Sequence, residues 1–72
     1  MEDIIKNKIE DSKKTLQLYL ISFNLNFDLD EIFNLSYLII LNLNSNNISI
    51  IPSKINEFVN LKILSLYNNN IK

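Results

Sequence analysis

Cysteine, histidine, glycine and tryptophan are absent from the 72 residues, and proline and methionine occur once each. Without cysteine there are no disulfides and no thiolate ligands, and without histidine no imidazole ligands for zinc. The same two absences remove every nucleophile–histidine pair. Without glycine there is no glycine-rich loop whose backbone could cradle a phosphate. Asp28, Asp30 and Glu31 form the one acidic cluster, but its spacing is not that of a calcium loop, and a solvated turn is the expected use. An enzymatic role is therefore not expected, and neither is a metal or cofactor.

Charge and hydropathy set further bounds. The net charge is −1, and no basic patch is available to neutralise phosphates, so nucleic acid is not an expected partner. The aliphatic run Leu38 to Leu41 is far shorter than a membrane span. The opening Met1-Glu2-Asp3-Ile4-Ile5-Lys6 places acids where a secretory signal would carry cations. A cytoplasmic location follows as the expectation. Asn34-Leu35-Ser36 and Asn47-Ile48-Ser49 match the glycosylation pattern, but in so Asn- and Ser-rich a chain both read as accidental.

What the chain has in abundance is Leu, Ile and Asn, which make up 38 of the 72 residues. Codon bias can scatter Asn and Ile through a sequence, but it does not place them at a fixed period. The second half repeats itself at a shift of 23 residues. Leu38, Leu41 and Leu43 fall on Leu61, Leu64 and Leu66. Asn46, Asn47 and Ile48 fall on Asn69, Asn70 and Ile71, and upstream Ile32 and Leu35 fall on Ile55 and Phe58. A degenerate earlier copy keeps Leu18, Leu20 and Leu25 in phase, with Thr15 where Leu38 stands and Phe23 where Asn46 stands.

Both full copies fit L-x-x-L-x-L-x-x-N-x-[L/I], and Ile51-Pro52, Ile55, Phe58 and Leu61 fill the segment between them. This pattern resembles the leucine-rich-repeat family, in the 23-residue form of the Ras-group intracellular members. The resemblance covers residues 15–72, in copies of about 15–37, 38–60 and an incomplete 61–72. It implies an α/β leucine-rich-repeat solenoid. This would be a short right-handed coil of about three repeats, with parallel strands on its concave face and a helical N-terminal cap.

The spacing has its own logic. Leu41 and Leu43 alternate with Ile40, Asn42 and Asn44, the period of a strand with one buried face. Parallel strands are expected near residues 17–20, 40–43 and 63–66. Leu38 should point inward, and Ile48 and Ile51 should close the coil. The i, i+3 spacing of Ile55, Phe58 and Leu61 suggests a short helix or 3₁₀ turn, where Pro52 is tolerated because it need not donate to a ladder. No copy can bury its leucines alone, so stacking must build one core. Asn46 and Asn69 offer both donor and acceptor where the chain turns, and in fixed phase they should form an asparagine ladder. Ordinary exposed turns also use Asn. On the ladder reading, Asn46→Ala costs about 1–3 kcal/mol, while Asn44, expected to face solvent, should be replaceable at little cost.

Residues 1–14 mix four acids with four lysines. Ile5, Ile9, Ser12 and Leu16 share one helical face, with Ile4 beside it, which suggests an amphipathic cap over the N-terminal end of the core. A frayed leader is the alternative.

The expected function is protein binding through the concave sheet face, with a signalling protein a candidate partner by the resemblance. By phase, that face carries Gln17, Ile40 and Ile63 in one row and Tyr19, Asn42 and Ser65 in the next. Ile21, Asn44 and Tyr67 follow, then Ser22, Ser45 and Asn68. The alternative is a fragment or capping piece of a larger array with a structural role. The chain ends soon after the last strand, so Leu61, Leu64, Leu66 and Ile71 are expected to lie uncovered and to promote self-association.

Overall fold

The computed structural model describes residues 2–25 and 29–71. The mixed charges of the N-terminal segment lie around a helix, α1 (Glu2–Thr15), whose last turn carries Lys13 and Lys14, the sign favoured at a helix C-terminus. Ile5 and Ser12 are buried and Ile9 half-buried along one face, while Ile4 lies outside it. The Lys13–Glu10 ion pair is solvent-exposed and adds little. Ser12 is fully buried, and its hydroxyl donates to the Ile9 carbonyl at 2.6 Å and shares a 2.7 Å hydrogen bond with the Tyr37 hydroxyl. A serine on an apolar face is thus satisfied from both sides.

The helix stops at Thr15, one residue short of the face expected to include Leu16. Leu16 turns left-handed, with φ 63°, and leaves the helix axis. Its N–H still donates to the Ser12 carbonyl at 2.7 Å, and its own carbonyl accepts the Ile39 N–H at 2.8 Å. That reversal starts β1 (Gln17–Tyr19), against which α1 packs.

Strand β2 (Ile40–Asn42) pairs in parallel with β1, and β3 (Ile63–Ser65) pairs in parallel with β2. The register sets Gln17 opposite Ile40 and Ile63, Leu18 opposite Leu41 and Leu64, and Tyr19 opposite Asn42 and Ser65. Every partner differs by the 23-residue repeat of the sequence. Pairing continues beyond each short strand, since the Leu20 N–H donates to the Asn42 carbonyl and the Leu43 N–H to the Ser65 carbonyl, both at 2.9 Å. The fold is α/β: a helix against an open, three-stranded parallel sheet, in the order β1-β2-β3.

The return segments lie in phase as well. Between β1 and β2 stands a single α-turn, α2 (Asp30–Phe33), and between β2 and β3 a 3₁₀ turn, Ser53–Glu57, preceded by an extended Pro52. Their inner sides close the core. Leu18, Leu20, Leu38, Leu41 and Leu43 fill its centre with Ile32 and Phe33, and Ile48 and Phe58 lie at its margin. The Phe33 and Phe58 rings meet at 5.8 Å between centroids, tilted by 50°. Thr15, standing at the phase of Leu38, is exposed because α1 occupies the place where an earlier turn would enter the core.

A chain without glycine must still turn sharply after each strand. It does so at Ser22, Ser45 and Asn68, one per copy, with φ of 62°, 61° and 58°. A left-handed residue with a Cβ costs about 1–2 kcal/mol, and Asn tolerates the conformation better than Ser. Ser45→Gly should therefore stabilise the fold. Part of the relief is offset by the extra freedom of glycine in the unfolded chain, leaving a net gain of about 0.5 kcal/mol, a rise of about 2–4 °C in Tm. A Tm lowered by this substitution in a circular-dichroism melt would mean that the serine side chain contributes more than the strain it carries.

Candidate interaction face

Alternate residues of each strand point away from the core. In β1 these are Gln17 and Tyr19, both exposed around a buried Leu18. In β2 they are Ile40 and Asn42, half-buried around Leu41, because the central strand has neighbours on both sides. Ile63 in β3 is exposed and Ser65 half-buried. Just past the strands follow Ile21, Asn44 and Tyr67, with Ile21 and Tyr67 exposed. Alternation thus sets Gln17, Tyr19, Ile40, Asn42, Ile63 and Ser65 on the side away from Leu18 and Leu41, Asn44 bonds to Ser65 and Tyr67 beside them, and Ser22, Ser45 and Asn68 turn the chain beyond the strands. No charged side chain stands among these positions. Tyr67 is the most open, 73% exposed, and Tyr19 is 43% exposed.

The polar groups of the face are bonded to one another. The Asn42 Oδ1 accepts the Asn44 N–H at 3.0 Å. The Asn44 Oδ1 accepts the Ser65 hydroxyl and the Tyr67 N–H, both at 2.7 Å. The Tyr19 hydroxyl donates to the Gln17 Oε1 at 3.4 Å. This corrects the expectation for Asn44. Its side chain does not stand free in solvent; it is half-buried and ties the end of β2 to the end of β3. Its replacement by Ala removes two acceptor contacts at once.

Beneath the far border lie the two phased asparagines. Asn46 is fully buried. Its Nδ2 donates to the Leu20 carbonyl and, at 3.1 Å, to the Asn44 carbonyl, and its Oδ1 accepts the Phe23 N–H at 2.8 Å. Asn69 reaches back in the same manner. Its Oδ1 accepts the N–H groups of Asn46 and Ile48 at 3.0 and 2.9 Å, and its Nδ2 donates to the Leu43 carbonyl at 2.9 Å. Phe23 holds this phase in the first copy and contributes its backbone N–H to the Asn46 Oδ1. An outer contact at the same phase joins the Asn70 Nδ2 to the Asn47 Oδ1 at 3.0 Å.

Away from the sheet face, Asp30 and Glu31 are exposed on α2, and Asp28 lies outside the described residues. No group of three acidic, cysteine or histidine side chains suited to a metal ion occurs among the described residues. Nor, among them, is any helix long and apolar enough to cross a membrane. Residue periodicity missed the bonds of Asn44, the Ser12–Tyr37 contact and the burial of Phe33. The first had a faint signal, the alternation Asn42-x-Asn44 on one strand face.

No family model, curated protein or solved structure matches this chain.

Proposed function

We propose that this chain is a short leucine-rich-repeat solenoid, acting in the cytoplasm as a protein-binding module rather than an enzyme, with the outer sheet face as its concave binding surface. The observation that carries the reading is the exposed, uncharged side of the three-stranded sheet, where Tyr19 and Tyr67 flank Ile21, Ile40 and Ile63. Interface centres are depleted in charge and enriched in tyrosine, which offers a large contact area at low entropic cost together with a polar tip. The repeat reading is supported by the uniform 23-residue register and by the backward-reaching amides of Asn46 and Asn69.

The test is capture of a partner from cell extract, its identification, and titration of the purified pair. Tyr19→Ala and Tyr67→Ala should each weaken binding by about tenfold or more, the usual scale of an interface hot spot, and leave the melting curve nearly unchanged. Glu57→Ala and Glu31→Ala, on the return segments, should have no effect. The opposite pattern would move the site off the sheet.

A second reading rests on β3, which among the described residues is paired on one side only. Leu64 is 38% exposed where its in-phase equivalents Leu18 and Leu41 are buried. An open strand edge with an apolar flank is a template for pairing. On this reading another strand of the same spacing stacks there, from a second copy or a larger array, and the 72-residue chain self-associates at high concentration. A monomer at all concentrations in sedimentation equilibrium would end it.

A further inference from the structure

The hydrogen bonds inside the sheet face have a direction that limits what the face can bind. Each amide oxygen of the face already accepts a hydrogen bond from the protein itself. The Asn42 Oδ1 holds the Asn44 N–H, and the Asn44 Oδ1 holds both the Ser65 hydroxyl and the Tyr67 N–H. At the border the Gln17 Oε1 holds the Tyr19 hydroxyl. Because backbone N–H groups can only donate, the two asparagine amides are fixed in orientation, with oxygen toward the backbone and nitrogen away from it. No buried side-chain nitrogen or oxygen lacks a partner among the described residues. Among the described residues the Nδ2 groups of Asn42 and Asn44 have no hydrogen-bond partner, and neither is fully buried.

The centre of the face thus holds two free donors, Asn42 at the end of β2 and Asn44 just past it. Around it stand Tyr19 and Ile21 on one side, Ile40 and Ile63 at the start of the strands, and Tyr67 beyond Asn44. No acid on the face repels an anion, and no lysine competes for one. A carboxylate accepts hydrogen bonds only, through two oxygens, and charge-assisted bonds are stronger than neutral ones. We propose that the sheet face binds a protein segment presenting an Asp or Glu carboxylate between apolar side chains, with the amide N–H groups of Asn42 and Asn44 on the carboxylate and the tyrosines and isoleucines on its flanks. This rests on the protein-binding reading above and specifies the partner's chemistry.

Replacing either amide by a carboxylate inverts the free group while keeping the oxygen that the backbone uses. Asn42→Asp preserves the acceptor for the Asn44 N–H and turns the outward donor into an acceptor. Asn44→Asp does the same for the Ser65 hydroxyl and the Tyr67 N–H. The probe is a displayed library of random 12-residue peptides, selected on the full chain. Its consensus peptide is then synthesised and titrated against the wild type, both single variants, Tyr19→Ala and Tyr67→Ala, each first checked for an unchanged circular-dichroism spectrum. The expected consensus is an acidic residue flanked by aliphatic or aromatic ones. It should bind Asn42→Asp and Asn44→Asp at least about tenfold more weakly than the wild type, and selection on those variants should turn toward Lys- and Arg-bearing peptides. Acidic peptides that bind the variants equally well would overturn the proposal. A consensus without acids that still depends on Tyr19 and Tyr67 would overturn the carboxylate assignment and leave the sheet face as the site. Peptides indifferent to both tyrosines, or no enrichment at all, would overturn both readings.

Discussion

Asn46→Ala is expected to lower the melting temperature by about 15 °C, close to unfolding the chain at 37 °C. The side chain is fully buried and serves three backbone groups: the Phe23 N–H and the carbonyls of Leu20 and Asn44. Alanine leaves the Phe23 N–H and the Leu20 carbonyl without that partner, while the Asn44 carbonyl keeps the Ser22 N–H at 3.0 Å. Each buried, unsatisfied group costs about 1–3 kcal/mol, so the two together cost about 2–6 kcal/mol. In a domain of this size 1 kcal/mol moves Tm by about 4–8 °C, and total stability is only a few kcal/mol. Asn69→Ala should cost less, about 1–2 kcal/mol, because Asn69 is half-buried and water can reach part of its site. A circular-dichroism melt is sufficient as a measurement. An Asn46→Ala protein melting within about 3 °C of the wild type would show that the amide is not what holds the turn.

Phe33→Ala should be at least as damaging, costing about 3–5 kcal/mol. Phe33 is 1% exposed and closes the core beneath α2, its ring against that of Phe58. The aromatic pair adds about 0.5–1.5 kcal/mol beyond area alone. Truncation leaves a cavity bounded by Phe58 and the core leucines, and the short strands leave little room for collapse. Phe33→Leu keeps most of the volume and should cost about 1 kcal/mol. Urea midpoints for the two variants separate the cases: if Leu and Ala destabilise equally, the ring contact rather than the filled volume carries the effect.

These two residues differ in how far the sequence revealed them. Asn46 was legible because it recurs at Asn69 in the same phase as the leucines, and a polar residue at a core phase demands partners. The strands and their register were legible for a related reason. Leu18, Leu41 and Leu64 mark one inward position in three successive copies, and parallel pairing at a constant shift follows once they share a core. Phe33 was not legible, because its in-phase equivalent is Asn56, which is exposed. The first return segment is an α-turn and the second a 3₁₀ turn, and the tighter winding of the second rotates a different side chain inward.

The rest of the candidate site divides along similar lines. Which strand side chains share the outer face follows from alternation alone, so the six strand positions from Gln17 to Ser65 could be read in advance. What those side chains do to each other could not. The bond from Asn44 to Tyr67 spans 23 residues and exists only because two copies are stacked at strand spacing. The left-handed turns at Ser22 and Ser45 were hidden for the opposite reason, since such positions announce themselves through glycine and this chain has none.

The backward reach of the asparagines also gives the molecule a mechanical polarity. The first copy is fastened by the amide of Asn46 and the second by that of Asn69, so β1 and β2 are clasped from the following copy, while among the described residues β3 is paired on one side only. Local opening should therefore begin at β3 and run toward the helix, with backbone amides near Ser65 exchanging with deuterium well before those near Leu18. The proposed binding face straddles this gradient. Tyr19 and Ile21 ride on a firmly held part of the sheet, whereas Ile63 and Tyr67 ride on the part that opens first. A ligand that bridges β1 and β3 then acts as a clasp on the loose end, and the ordering of that end is subtracted from its affinity.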